Sequence, residues 1–189
     1  MDVVDRIEGC SFAGAEFLVW LWFESELFEG TLQLSDDTTC ELWFESQIIL
    51  AREKEQAALK GTAPSSNAEA HEALRQGKLP TRARMRIIRN ELEYAFVIGA
   101  EDLSLSTLRI PAQLRQETDE QFYERMYLVE EIEKIVDGLF TDFLVLRLSK
   151  SWDGFVLPAL RSWVRGEEAP DADDYGRKRA AALARRKKK

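Results

Sequence analysis

The sequence predicts an α+β fold, an antiparallel sheet packed by an N-terminal Trp-rich helix and a long C-terminal amphipathic helix. Three observations predict it. Phe17–Phe23 is an unbroken apolar run of seven residues. Between residues 31 and 110, short apolar and alternating segments are punctuated by turn-forming residues. From Thr118 to about Ser149, apolar residues recur every three or four positions. With 189 residues and 45% hydrophobic content, the chain suits one globular domain, set at residues 1–166, followed by an acidic linker and basic tail at 167–189.

Residues 12–28 read as a helix that is apolar all round at its centre, hence buried on several sides or shared with a partner. Five tryptophans are many for this length, and they anchor either the core or an oligomer interface. Thr31–Leu34 and Thr39–Phe44 flank a turn-like Ser35-Asp36-Asp37-Thr38 cluster and read as a hairpin. Gln47–Arg52 reads as a third strand, while Glu53–Lys60 fits strand or helix equally. Gly61–Asn67 is loop-like in composition. Ala68–Gln76 reads as a short helix, with Asn67 as N-cap and Gly77 as stop.

Pro80 opens the next strand, where a missing donor is tolerated. Asn90-Glu91 joins it to a strand in which Leu92, Tyr94, Phe96 and Ile98 alternate. Leu103, Leu105, Leu108 and Ile110 mark one or two further short strands. Thr118 with Gln121 has the form of a capping box. Phe122, Met126, Val129, Ile132, Val136, Leu139, Phe143 and Leu146 form the stripe of the long helix, and Gly138 is its weakest position. Trp152–Arg165 reads as the last helix, interrupted or kinked near Pro158. The tail has no apolar stripe sufficient to fold alone and is expected to be disordered or frayed.

The chemistry that is absent narrows the function. His71 is the sole histidine, which excludes any site built on two imidazoles. It reads as an ordinary residue on a helix surface. Cys10 and Cys40 have no metal-ligand spacing and fit a reduced, cytoplasmic protein. No phosphate-binding glycine loop is present. No signal peptide is visible, and the longest apolar run is too short to span a bilayer. Asp36, Asp37, Glu41 and Glu45 are the best acidic cluster for a metal-dependent nuclease, yet no Asp/Glu-x-Lys triplet accompanies them. No metal, cofactor or catalytic residue is therefore expected.

Charge is unevenly distributed. The net charge is −8, but eight of the 26 Lys/Arg lie in residues 177–189, so residues 1–176 carry 18 bases against 34 acids, a net −16. Against that background, Arg75–Asn90 (RQGKLPTRARMRIIRN) contains six cations and no acid. In a strand, Arg82, Arg84 and Arg86 project from one face and Ala83, Met85 and Ile87 from the other. Arg75, Lys78 and Arg89 lie nearby in sequence. An outward cationic row on an anionic protein fits a polyanion, and double-stranded DNA is the first candidate. An ordinary solvated strand face is the alternative. The tail cations, Arg177, Lys178, Arg179, Arg185, Arg186, Lys187, Lys188 and Lys189, extend the same reading as an electrostatic arm, or else neutralise the adjoining acidic linker.

The order of these features resembles the C-terminal half of the recombination-associated protein RdgC family. The residues that carry the resemblance are the Trp20-Leu21 helix, the Leu74, Gly77 and Lys78 element, and Tyr94-Ala95-Phe96-Val97. Asp102-Leu103-Ser104-Leu105 with Leu108 and Ile110, and the acidic approach to a long helix from Glu117 to Phe143, complete it. It covers roughly residues 17–148. The resemblance implies a bacterial, nucleoid-associated, homo-oligomeric protein that binds double-stranded DNA with little sequence preference and restrains RecA-dependent strand exchange. The family's N-terminal half has no counterpart here, so its ring of two contacts is not carried over. The first expectation is a nonenzymatic DNA-binding protein. The alternative is a protein–protein or dimerisation module, in which the sheet and Trp-rich helix form the interface and the arginines pair with carboxylates.

Overall fold

The computed structural model describes residues 3–4, 13–34, 38–52, 55–60, 68–115 and 118–184. In chain order the elements are α1 (Gly14–Leu27), β1 (Thr31–Gln33), β2 (Thr39–Arg52), β3 (Glu55–Lys60), α2 (Ala68–Arg75), β4 (Leu79–Arg89), β5 (Leu92–Gly99) and β6 (Leu105–Arg109). The chain continues through α3 (Asp119–Arg147), a π-helical turn (Trp152–Val156), α4 (Leu157–Arg165) and α5 (Ala172–Ala184). The expected turn at 35–37, the loop at 61–67 with Asn67, and the nuclease candidates Asp36 and Asp37 lie outside the described residues, as does Cys10.

The sheet is antiparallel throughout, in the order β1-β2-β4-β5-β6, with β3 pairing along the same edge of β2 as β1. Gln47–Arg52 is not a separate strand. It continues β2 past a register shift between Glu45 and Ile48, where one extra stretch of backbone bends the strand without ending it. Asn90 and Glu91 both adopt positive φ, at 51° and 64°, the conformation that a two-residue hairpin turn requires.

One sheet face is the core face. It carries Leu42, Phe44, Ile48, Met85, Ile87, Tyr94, Phe96 and Ile98, all buried. Burying a side chain of this size removes roughly 1.5–3 kcal/mol of unfavourable hydration. α1 lies against this face and inside the helices as well. Every residue from Phe17 to Phe23 is at most 1% exposed within the single chain. Phe17–Phe23 is thus an internal strut, which is the core branch of the two readings that the sequence left for this helix. Its surroundings explain why periodicity could not orient it: Trp20 meets Phe143, Trp22 meets Phe44 and Trp163, and Phe23 meets Tyr175.

The interruption expected near Pro158 is present, as a π-helical turn over Trp152–Val156, and two further expectations change. Pro158 is not in the final helix. It occupies the first turn of α4, where its missing N–H is tolerated, and the π-turn ahead of it absorbs the change in pitch. Nor is 167–184 wholly an acidic linker and disordered tail. Residues Ala172–Ala184 form a helix packed onto the core, with Tyr175 and Arg179 buried. Propensity alone gives no anchor there. The anchor is tertiary, because Tyr175 inserts among Phe23, Phe28 and Phe155. Among the described residues, no helix is long and apolar enough to cross a membrane.

Candidate nucleic-acid interface

Among the described residues, the face of the sheet opposite the core carries mostly half-buried to exposed side chains. The register places its residues in rows across the strands, since directly paired residues share a face. Trp43, Arg86, Ala95 and Arg109 form one row, and Glu45, Arg84, Val97 and Ser106 form the next. Ile49, Arg82 and Gly99 follow, and Glu41, Ile88 and Glu93 close the other side. Arg82, Arg84 and Arg86 therefore do project from one face, alternating with buried Ala83, Met85 and Ile87. Four residues of strand separate Arg82 from Arg86, about 13 Å.

The row is partly engaged. Glu45 stands between two of the arginines, with Arg86 Nε 2.9 Å and Arg84 Nε 3.9 Å from its carboxylate. Glu93 lies 3.9 Å from Arg86 Nη1. These side chains stay partly wet, at 23% for Arg84 and 33% for Arg86. Arg82 is exposed and lines two clefts in this face. The larger, about 680 Å³, includes Thr81, Gly99, Asp102, Ser104 and Ser106. The smaller, about 180 Å³, includes Arg84, Ser106 and Thr107. Asp102 Oδ1 accepts from the Ser104 N–H at 3.0 Å, and the Ser104 contacts hold its carboxyl below the usual range. Trp43 lies over Gly30, whose φ is +84°; a Cβ there would run into the indole ring. Its exposure is 38%, making it the aromatic edge of this face.

The other sequence candidates are not part of this surface. Arg89 falls on the opposite parity of β4 and donates to Thr38 Oγ1 at 3.0 Å. Arg75 is a structural cap: its Nε donates to the Val164 carbonyl at 3.0 Å, at the end of α4, and its guanidinium fills the space that Gly166 leaves. Lys78 is half-buried just past Gly77, whose positive φ ends α2. In the tail, Arg177 and Lys178 both pair with Asp174 within their own helix. Arg179 is 5% exposed and inserted in the core, where it cannot meet a phosphate. Arg185, Arg186, Lys187, Lys188 and Lys189 lie outside the described residues.

Sequence reasoning missed Arg109 and the hydroxyls of Thr81, Ser104, Ser106 and Thr107. Thr81 directly precedes Arg82 in β4, whereas the pairing of β6 with β5 brings the others beside the arginines. It also misread His71, which is wedged between Trp22 and Trp163 with its Nε2 3.4 Å from Glu26. The same Glu26 carboxylate accepts from both indole N–H groups at 2.7 Å, so this half-buried cluster is a satisfied polar knot at the edge of the core. Tyr94 and Phe96 are buried, which removes them as stacking platforms for bases. Among the described residues, no group of three His, Cys, Asp or Glu is placed to hold a metal ion, and Glu45 is taken up by arginines. Comparison with protein-family models, curated proteins and solved structures returned no match.

Proposed function

We propose that this chain is a nonenzymatic protein that binds double-stranded DNA without sequence preference through the face of its sheet opposite the core. The supporting observation is the convergence of Arg82, Arg84, Arg86 and Arg109 on that face. Glu41, Glu45 and Glu93 share the face and Glu101 and Asp102 line the Arg82 cleft, so the feature is a concentrated row of guanidiniums among carboxylates on a protein with a net charge of −8. The neighbouring hydroxyls are engaged, Thr81 Oγ1 donating to the Ile49 carbonyl and Ser106 Oγ to the Val97 carbonyl, so the guanidiniums are the donors that would position a phosphate backbone. Binding by phosphate neutralisation releases counterions and reads no base edge. The likeness to the RdgC family extends the proposal to a homo-oligomeric, nucleoid-associated role in restraining recombination.

The pairing of Arg84 and Arg86 with Glu45 favours a second reading, a protein–protein module whose arginines serve sheet structure. Fluorescence anisotropy with a labelled duplex at ~50 and ~200 mM salt separates the two. The DNA reading expects affinity at ~50 mM salt and a log–log salt slope that falls by about three in Arg82→Gln/Arg84→Gln/Arg109→Gln. It also expects tighter binding in Glu45→Gln, which releases two guanidiniums. An absence of binding at ~50 mM salt, or an unchanged triple variant, overturns it and leaves the protein–protein reading.

A further inference from the structure

The stripe of α3 does two different jobs along its length. From Leu128 onward its buried residues are Leu128, Ile132, Ile135, Val136, Leu139, Phe143 and Leu146. Phe122 and Met126, which the spacing assigns to the same stripe, are 60% and 54% exposed. Tyr123 and Tyr127 beside them are 67% and 64% exposed. At 100° per residue, these four lie on the side of α3 directly away from the core. They form two pairs spaced i and i+4, and the Phe122 and Tyr123 rings meet edge-on at 5.8 Å. Most of the exposed large hydrophobic residues described in this chain thus fall within two turns of one helix. Aromatic and methionine side chains grouped in this way are the composition of interface centres.

The surrounding charge identifies the partner. Along the same outward side, Asp119 and Glu120 precede the patch, and Glu130, Glu133 and Asp137 follow it. Lys134 on that stretch is held 2.8 Å from Glu130 and is neutralised by it, and the exposed Arg125 falls on the side of the helix away from the acidic rim at 100° per residue. A second copy of this chain fits poorly. Antiparallel pairing of the patch with itself sets Asp119 against Glu130, and parallel pairing sets each acid against its own counterpart. A partner must therefore bring apolar anchors and positive charge together. We infer that the outward face of the first three turns of α3 docks a basic amphipathic segment of another protein. The apolar anchors lie among Phe122, Tyr123, Met126 and Tyr127, and the cations face the acidic rim.

The test uses the full chain and two labelled synthetic helical peptides of equal length. One has a leucine stripe with lysines, the other the same stripe with glutamates. The lysine peptide is expected to bind, and the glutamate peptide is expected not to bind. Phe122→Ser/Met126→Ser is expected to weaken the lysine peptide about tenfold, because both side chains are interface anchors. Glu130→Gln/Glu133→Gln is expected to weaken it and flatten its salt dependence. All four positions are on the exposed side, and circular dichroism checks that the fold is unchanged. Lysine-peptide binding that is unaffected by Phe122→Ser/Met126→Ser overturns the proposal. So does a sedimenting dimer that the same variant dissociates, because a second copy then occupies the face.

Discussion

Glu24 is fully buried and faces one guanidinium, one phenol and a second carboxylate. Arg179 Nε lies 2.9 Å from it, the Tyr175 hydroxyl donates to it at 3.1 Å, and Arg179 Nη2 lies 3.8 Å from Asp142. Two buried acids share one cation, so the cluster holds a proton readily. Burial pushes the Glu24 carboxyl up to about 7, against the opposing pull of Arg179. Since the folded pKa is raised, the stabilising contribution of this proton is complete below about 4.5 and is lost as pH rises through about 7. Glu24→Gln is expected to show a flatter dependence of Tm on pH than the parent across that window. Equal slopes would mean that Glu24 titrates normally. No local pattern marks this cluster in the sequence, because its members are separated by up to 155 residues. The arginine row was legible because strand alternation fixes which way each side chain points. Its partner Glu45 was not, because the register that sets Glu41–Glu45 against Ile88–Arg84 joins strands distant in sequence.

α3 is the element that the sequence described best and also the one it misassigned most. Its boundaries follow from a cap that is half of the expected box. Thr118 accepts from the Gln121 N–H, while the Gln121 side chain turns away to the Leu114 carbonyl. The core stripe from Ile132 to Leu146 follows the 3.6-residue repeat. Three-residue steps from Met126 through Val129 to Ile132 each drift the stripe by about 60°, so Phe122 and Met126 fall on the side away from the core, whose first buried apolar residue in α3 is Leu128. Gly138 does not interrupt the helix, and a Cβ there would meet nothing within 4 Å. Gly138→Ala should therefore raise stability by about 0.5–1 kcal/mol, read as a higher urea midpoint at unchanged slope. A lower midpoint would show that this position is constrained in a way the open space does not reveal.

Across the molecule, the α+β class, the sheet and the two framing helices were all readable from apolar periodicity and turn residues. The closing helix was not. The α5 sequence is rich in Arg, Lys and Ala and has only Tyr175 and Arg179 buried, so neither its apolar pattern nor its charge announces a core element. Its removal tests that role. A chain ending at Asp171 leaves Glu24 and Asp142 without Arg179 and uncovers Phe23 and Phe28. Stranding buried charge alone costs roughly 3–5 kcal/mol, so denaturant unfolding should shift well below that of the full chain. An unchanged midpoint would make α5 an accessory.

The position of Arg179 also bears on how the polypeptide matures during translation. α1 emerges early, with seven consecutive bulky apolar residues, whereas the side chains that enclose it come from α3, α4 and α5. The Arg179–Glu24 contact spans 155 residues, which at synthesis rates of about 5–20 residues per second is an interval of roughly ten to thirty seconds. Throughout that interval the nascent helix lacks its native shelter, and it must rely on provisional collapse or a holding chaperone.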